Sequence, residues 1–171
     1  MCIRDRSEAR PVIVRPAAPH VVEREPAILP PFDGAAEYLD RLRTCRGLPE
    51  RNMEDLVKEL LVRLGHPAGS VVFQVGHIDV LVQARDGKPS VVVEVKTSLR
   101  SKPDRDSALR QAFDYASRNG APIVVITDAD TYEVYDRRAG LDHASMLRAS
   151  FRMSAFRETD ALGLKLLGPP A

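Results

Sequence analysis

The sequence is poor in cysteine, nearly balanced in charge and free of long apolar runs, and each shortage removes a class of protein. Two cysteines in 171 residues, Cys2 and Cys45, are too few for a disulfide scaffold or for a zinc cluster, which needs about four grouped Cys or His ligands. A reducing cytoplasm is the setting this implies. Nothing approaches the roughly 18 consecutive apolar residues that span a bilayer, so no membrane partner is expected. The net charge of +1 exerts no global pull on polyanions. Any contact with nucleic acid must therefore come from local clusters among the 25 Lys and Arg residues. No internal repeat with a period of about 20 to 50 residues is visible.

What is present reads as one globular domain with flanking segments. Hydrophobic residues at 44% and charged residues at 29% are ordinary globular values. A chain of 171 residues buries one core and has no length for a motor as well. Met1 to Arg6 back-translates to a stretch that resembles a transposase-based sequencing adapter, so no structural weight rests on it. Residues 1–34 form an N-terminal arm, extended or disordered, with six prolines between Ser7 and Pro31. Residues 35–138 carry the domain, and 139–171 a tail that is irregular or partly helical.

Within the domain, Ala35, Leu39 and Leu42 have helical spacing up to Gly47 and predict a short helix on the domain's edge. Asn52 is a good N-cap for an amphipathic helix through Met53, Leu56, Val57, Leu60, Leu61 and Leu64, closed by Gly65. Val71 to Val75, His77 to Ala84 and Val91 to Val95 read as a strand meander, with Asp86-Gly87 as a turn. Ser98 to Ser107 is polar, basic and aperiodic, and the loop from Thr97 to Ser107 is expected to be mobile without DNA. Ala108, Leu109, Ala112, Phe113 and Ala116 then mark a helix that stops at Asn119-Gly120. Ile123 to Thr127 reads as a strand covered on both faces, and Tyr132 to Tyr135 as a further strand. The expected fold class is α/β, a central mixed sheet of four to five strands flanked by helices.

Chemistry concentrates at four residues: Glu54 early in a helix, Asp79 inside an apolar strand, and Glu94 with Lys96 on the next strand. Strand residues i and i+2 share a face, so Glu94 and Lys96 point together while Val93 and Val95 point away. An unpaired Asp79 in an apolar run costs several kcal/mol, and a divalent cation offsets that cost. Asp79 and Glu94 are thus the expected Mg²⁺ ligands, with the backbone carbonyl of Val95 as a third oxygen. Lys96 is placed to orient water or stabilise transition-state charge. Glu54 joins through water or through Lys96. Its alternative reading is a first-turn acid favoured by the helix dipole, a role that Glu50 and Asp55 fill equally well. His66 and His77 lack paired ligand spacing and read as structural or solvated.

This order of residues resembles the PD-(D/E)xK nuclease superfamily. Gln111 and Tyr115 resemble its Gln-x-x-x-Tyr element, which is found in the N-terminal nuclease domain of type I restriction endonuclease motor subunits. Thr127-Asp128 falls where those domains carry Thr-Asn-Gly. The sequence departs from the pattern at Asp128, where Asn is usual, and at His77. The resemblance covers roughly Asn52 to Arg138. It implies a restriction-endonuclease-like fold and Mg²⁺-dependent hydrolysis of DNA, with Mn²⁺ able to substitute. It also implies restriction or defence as the setting, with methyltransferase, specificity or motor subunits as partners. No helicase motifs follow, so translocation is not expected of this sequence. Arg100, Lys102 and Arg105 follow the catalytic strand and are the expected DNA contacts, with a solvated loop as the alternative. Tyr115 is equally placed for a core role. The rival function is a nucleic-acid-binding or assembly module that keeps the fold without turnover.

Overall fold

The computed structural model of the protein describes residues 27–75 and 78–169. Most of the expected N-terminal arm, Cys2 and His77 lie outside these residues. In chain order the elements are α1 (Ala35–Cys45), α2 (Glu50–Arg63), β1 (Val71–Val75), β2 (Ile78–Gln83), β3 (Pro89–Val95) and α3 (Lys102–Asn119). Then follow β4 (Ile123–Thr127), β5 (Thr131–Asp136), α4 (His143–Met146), β6 (Leu147–Arg152) and α5 (Ala161–Leu167).

The strands form one mixed sheet in sequence order, β1-β2-β3-β4-β5-β6. Only the central β3/β4 pair is parallel. Parallel neighbours need a crossover, and α3 supplies it. Along β3, Val91, Val93 and Val95 enter a core shared with α1, α2 and α5, while Val92 enters the core beneath α3. Burial on both faces explains the continuous apolar run of this strand. The α/β class and the mixed sheet with flanking helices stand as expected. The strand count is six rather than four to five, because β6 adds an edge strand from the stretch expected to be irregular or partly helical.

Two helix starts and the depth of a third helix differ from the sequence reading. Helix α2 begins at Glu50 behind Pro49, and the Asn52 amide already donates to the Pro49 carbonyl at 3.0 Å, so Asn52 is no N-cap. Helix α3 begins at Lys102, where the Ser101 hydroxyl accepts from the Asp104 amide at 3.2 Å and Pro103 fits the first turn. Six of the ten residues expected as a loop from Ser98 to Ser107, Lys102 to Ser107, are therefore helix. Helix α1 sits deeper than an edge helix, since Tyr38 and Leu42 are fully buried. The Tyr38 hydroxyl donates to the Ala129 carbonyl at 2.7 Å. That bond ties α1 to the β4–β5 turn, where Ala129 holds a φ of 66° that non-glycine residues seldom adopt. Among the described residues no helix is long and apolar enough to cross a membrane.

Candidate active site

One end of the sheet gathers the charged residues that β2, β3 and the start of α2 carry. In the β2/β3 register Val80 faces Val93 and Leu81 faces Val92. One step further Asp79 falls opposite Glu94, and opposed residues share a face. The Asp79 carboxylate reaches across the pair, and its Oδ2 accepts from the Val95 amide at 2.7 Å. Val95 thus meets Asp79 through its N–H. Burial raises the Asp79 pKa, opposed by this hydrogen bond and by the charge of Lys96.

Glu94 is only 2% exposed. Its Oε1 accepts from Lys96 Nζ at 2.5 Å, and its Oε2 is buried with no hydrogen-bond partner among the described residues. Burial pushes the Glu94 carboxyl up to about 7; the Lys96 hydrogen bond opposes the shift, and the negative charges of Asp79 and Glu50 add to it. Burial also disfavours the charge on Lys96, but Glu94, Glu50 and Asp79 outweigh it and hold the ammonium above the usual lysine range. Lys96 Nζ lies 3.8 Å from Glu50 Oε1.

Glu50 and Glu54 stand one helical turn apart on α2, on one face. Glu54 is buried, and Arg51 donates to its Oε2 at 3.1 Å. Burial and the charge of Asp79 raise the Glu54 pKa against the pull of Arg51. Carboxylate oxygens of Glu50, Glu54 and Asp79 all lie within 4.8 Å of one another. An all-oxygen, acidic donor set suits a hard divalent cation, and the unpartnered Glu94 Oε2 beside it is a further oxygen of the same kind. The residues present therefore fit a hard divalent cation. The grouping differs from the expected one: Asp79 meets Glu50 and Glu54 at ligand distance, whereas Glu94 is held by Lys96.

The remaining expected residues divide. Arg100 and Lys102 are exposed near the end of β3. Arg105 instead donates through Nε to Glu133 Oε1 at 2.7 Å and through a terminal nitrogen to the Tyr135 hydroxyl at 3.3 Å, which binds α3 to β5. Gln111 is exposed and Tyr115 half-buried against the core beneath α3. No hydrogen bond joins either side chain to the carboxylates among the described residues. His66 is structural, its Nε2 2.8 Å from the Leu167 carbonyl. Sequence reasoning missed Glu50 as a member of the cluster and Arg51 as the partner of Glu54. The readable signal was the Glu50–Glu54 spacing behind Pro49, obscured by placing the helix start at Asn52.

No family model and no curated protein matches the chain. Among solved structures it is similar to that of the type IIG restriction endonuclease BpuSI, at 13% identity and a TM-score of 0.42. The match covers 68% of this chain and 16% of the length of that protein.

Proposed function

We propose that this chain is a Mg²⁺-dependent nuclease that hydrolyses phosphodiester bonds in DNA, in the setting of restriction or defence. The observation that carries the reading is the convergence of Glu50, Glu54 and Asp79 within 4.8 Å, beside a buried Glu94 with one unpartnered oxygen and a charged Lys96. Glu50, Glu54 and Asp79 would hold the cation, with Glu94 Oε2 as a further oxygen, and Mn²⁺ can replace Mg²⁺. A hard divalent cation in such a site supplies Lewis acidity at the phosphate and makes water more acidic.

The chain's own groups do the rest. The Val95 amide fixes the orientation of Asp79. Arg51 keeps Glu54 directed into the cluster. Lys96, aligned by Glu94, presents a positive charge where the phosphate gains negative charge on the way to the transition state. Arg100 and Lys102 extend positive charge from the site along the path of a phosphate backbone. Methyltransferase, specificity or motor subunits of a restriction system are the partners this function calls for.

The test is cleavage of linear and nicked DNA by the purified chain with Mg²⁺, with EDTA in parallel. Metal-dependent cleavage that EDTA abolishes is expected. Tight DNA binding with no cleavage under any divalent cation would overturn hydrolysis and leave a nucleic-acid-binding module.

A further inference from the structure

A cleft of about 430 Å³ is formed by the α1–α2 connection, the chain after β3, the β4–β5 turn and the end of β6. Its size falls within the roughly 300–1,000 Å³ of small-molecule sites. Leu42, Met53 and Leu99 supply an apolar floor, and Arg46, Arg100 and Arg152 the cationic rim. Two carboxylates also line it, Asp128 and Asp130, but both are occupied by the scaffold. Asp128 accepts from the amides of Leu99, Asp130 and Thr131. Asp130 accepts from Arg46, Arg152 and both the amide and hydroxyl of Ser154.

The cleft therefore offers donors rather than acceptors. Arg46 and Arg152 are each about half exposed, and each reaches Asp130 through one terminal nitrogen. A guanidinium has five N–H groups, so most of them remain for a ligand. The Arg100 guanidinium makes no hydrogen bond or ion pair among the described residues. Guanidinium groups around an apolar floor match a ligand with an oxyanion at one end and a flat, weakly polar body at the other. The position adds a constraint: Thr97 and Ser98 line the cleft directly after Lys96, and Met53 directly precedes Glu54. The cleft is thus lined by the chain neighbours of Glu54 and Lys96.

We propose that this cleft binds one unpaired nucleotide of the substrate strand, its phosphate on Arg46, Arg100 and Arg152 and its base on the Leu42–Met53–Leu99 floor. The proposal rests on the nuclease reading for the identity of the strand. A base inside a paired duplex cannot enter a cleft without leaving its stack. The enzyme therefore acts where a strand is single, at an end, a flap or a gap.

The test measures binding to the wild-type chain in EDTA, which prevents turnover. The probes are thymidine 5′-monophosphate, thymidine, inorganic phosphate, a short blunt duplex and the same duplex with a single-stranded extension of a few nucleotides. The nucleotide is expected to bind more tightly than either of its parts, and the extended duplex about tenfold or more tighter than the blunt one, the scale of one held base. Arg46→Gln with Arg100→Gln should remove the preference for the extension. Equal affinity for blunt and extended duplexes would overturn the proposal. So would a preference that survives the double substitution. Nucleotide binding without any preference for the extension would assign the cleft to a free nucleotide and overturn the strand assignment. Cleavage assays on the same duplexes separate the two readings. Metal-dependent cleavage indifferent to the extension sinks the cleft proposal and leaves the nuclease. The extension preference with no cleavage supports the cleft and sinks the nuclease.

Discussion

At the scale of single residues the proposed function divides the site into groups that would hold a cation and a group that would act on the phosphate. If the proposed function holds, Asp79 would bind the cation in the ground state with Glu50 and Glu54, whereas Lys96 would contribute where charge develops in the transition state. Lys96→Ala should keep metal and DNA binding and lose about two or more orders of magnitude in cleavage. Asp79→Ala should lose both, and calorimetric titration with Mg²⁺ beside a cleavage assay distinguishes the two patterns. Glu94 yields a second prediction. Its folded pKa of about 7 lies above the ordinary 4.5, so the folded state binds more protons between those values. Stability of the metal-free chain should therefore fall as pH rises from about 4.5 to about 7. Glu94→Gln should reduce that slope, the raised Asp79 and Glu54 carboxyls supplying the rest, and stabilise the chain above it by on the order of 2 kcal/mol. A denaturation series across this window in EDTA checks it, and an unchanged slope in the variant would place the titrating group elsewhere. The Asp79 and Glu-x-Lys positions were legible because a charge interrupting an apolar strand is visible in the sequence. Glu50 was not, because acids in a first helical turn are common for reasons of the dipole alone.

Among the elements, legibility follows burial. Strand β3 was readable because both its faces are covered and its sequence is almost uninterrupted valine. Strand β6 was not, because as an edge strand it buries only Phe151 and so lacks an apolar alternation. The start of α3 was hidden for a similar reason: Lys102 to Ser107 is polar, and the first fully buried residue of the helix is Ala108. What fixes that start is local, the Ser101 cap and Pro103, rather than packing. Ser101→Ala should accordingly cost about 1 kcal/mol of stability. Amide exchange should be slow beyond the first turn of α3 and fast at Thr97 and Ser98; among the described residues the Leu99 and Arg100 amides have side-chain acceptors in Asp128 and Ser98. Uniformly fast exchange from Thr97 to Ser107 would restore the longer mobile loop that the sequence suggested.

For the molecule as a whole, the features that join distant parts of the chain were the least legible, because each depends on pairings that no local pattern encodes. Asp130 is the clearest case. From the β4–β5 turn it holds Arg46 at the end of α1, Arg152 at the end of β6, and Ser154 just beyond. A single carboxylate thus fastens the helical layer and the edge strand to the centre of the sheet, and it forms one wall of the cleft. Burial disfavours its charge, but Arg152 and both donors of Ser154 outweigh burial and hold its pKa below the ordinary 3.8. A carboxylate with a depressed folded pKa stabilises the fold above its unfolded value, and that contribution disappears as pH falls through the folded one. Asp130→Asn keeps the shape and removes the charge that two arginines share, so it should cost about 1–3 kcal/mol at neutral pH. In strong acid, below both pKa values, the wild type has lost the same interaction and the two proteins should unfold at nearly the same denaturant concentration. Urea titrations at neutral and strongly acidic pH measure the difference directly. A gap between wild type and variant that persists undiminished in acid would mean that the hydrogen-bonding shape of Asp130, and not its charge, joins these parts of the fold.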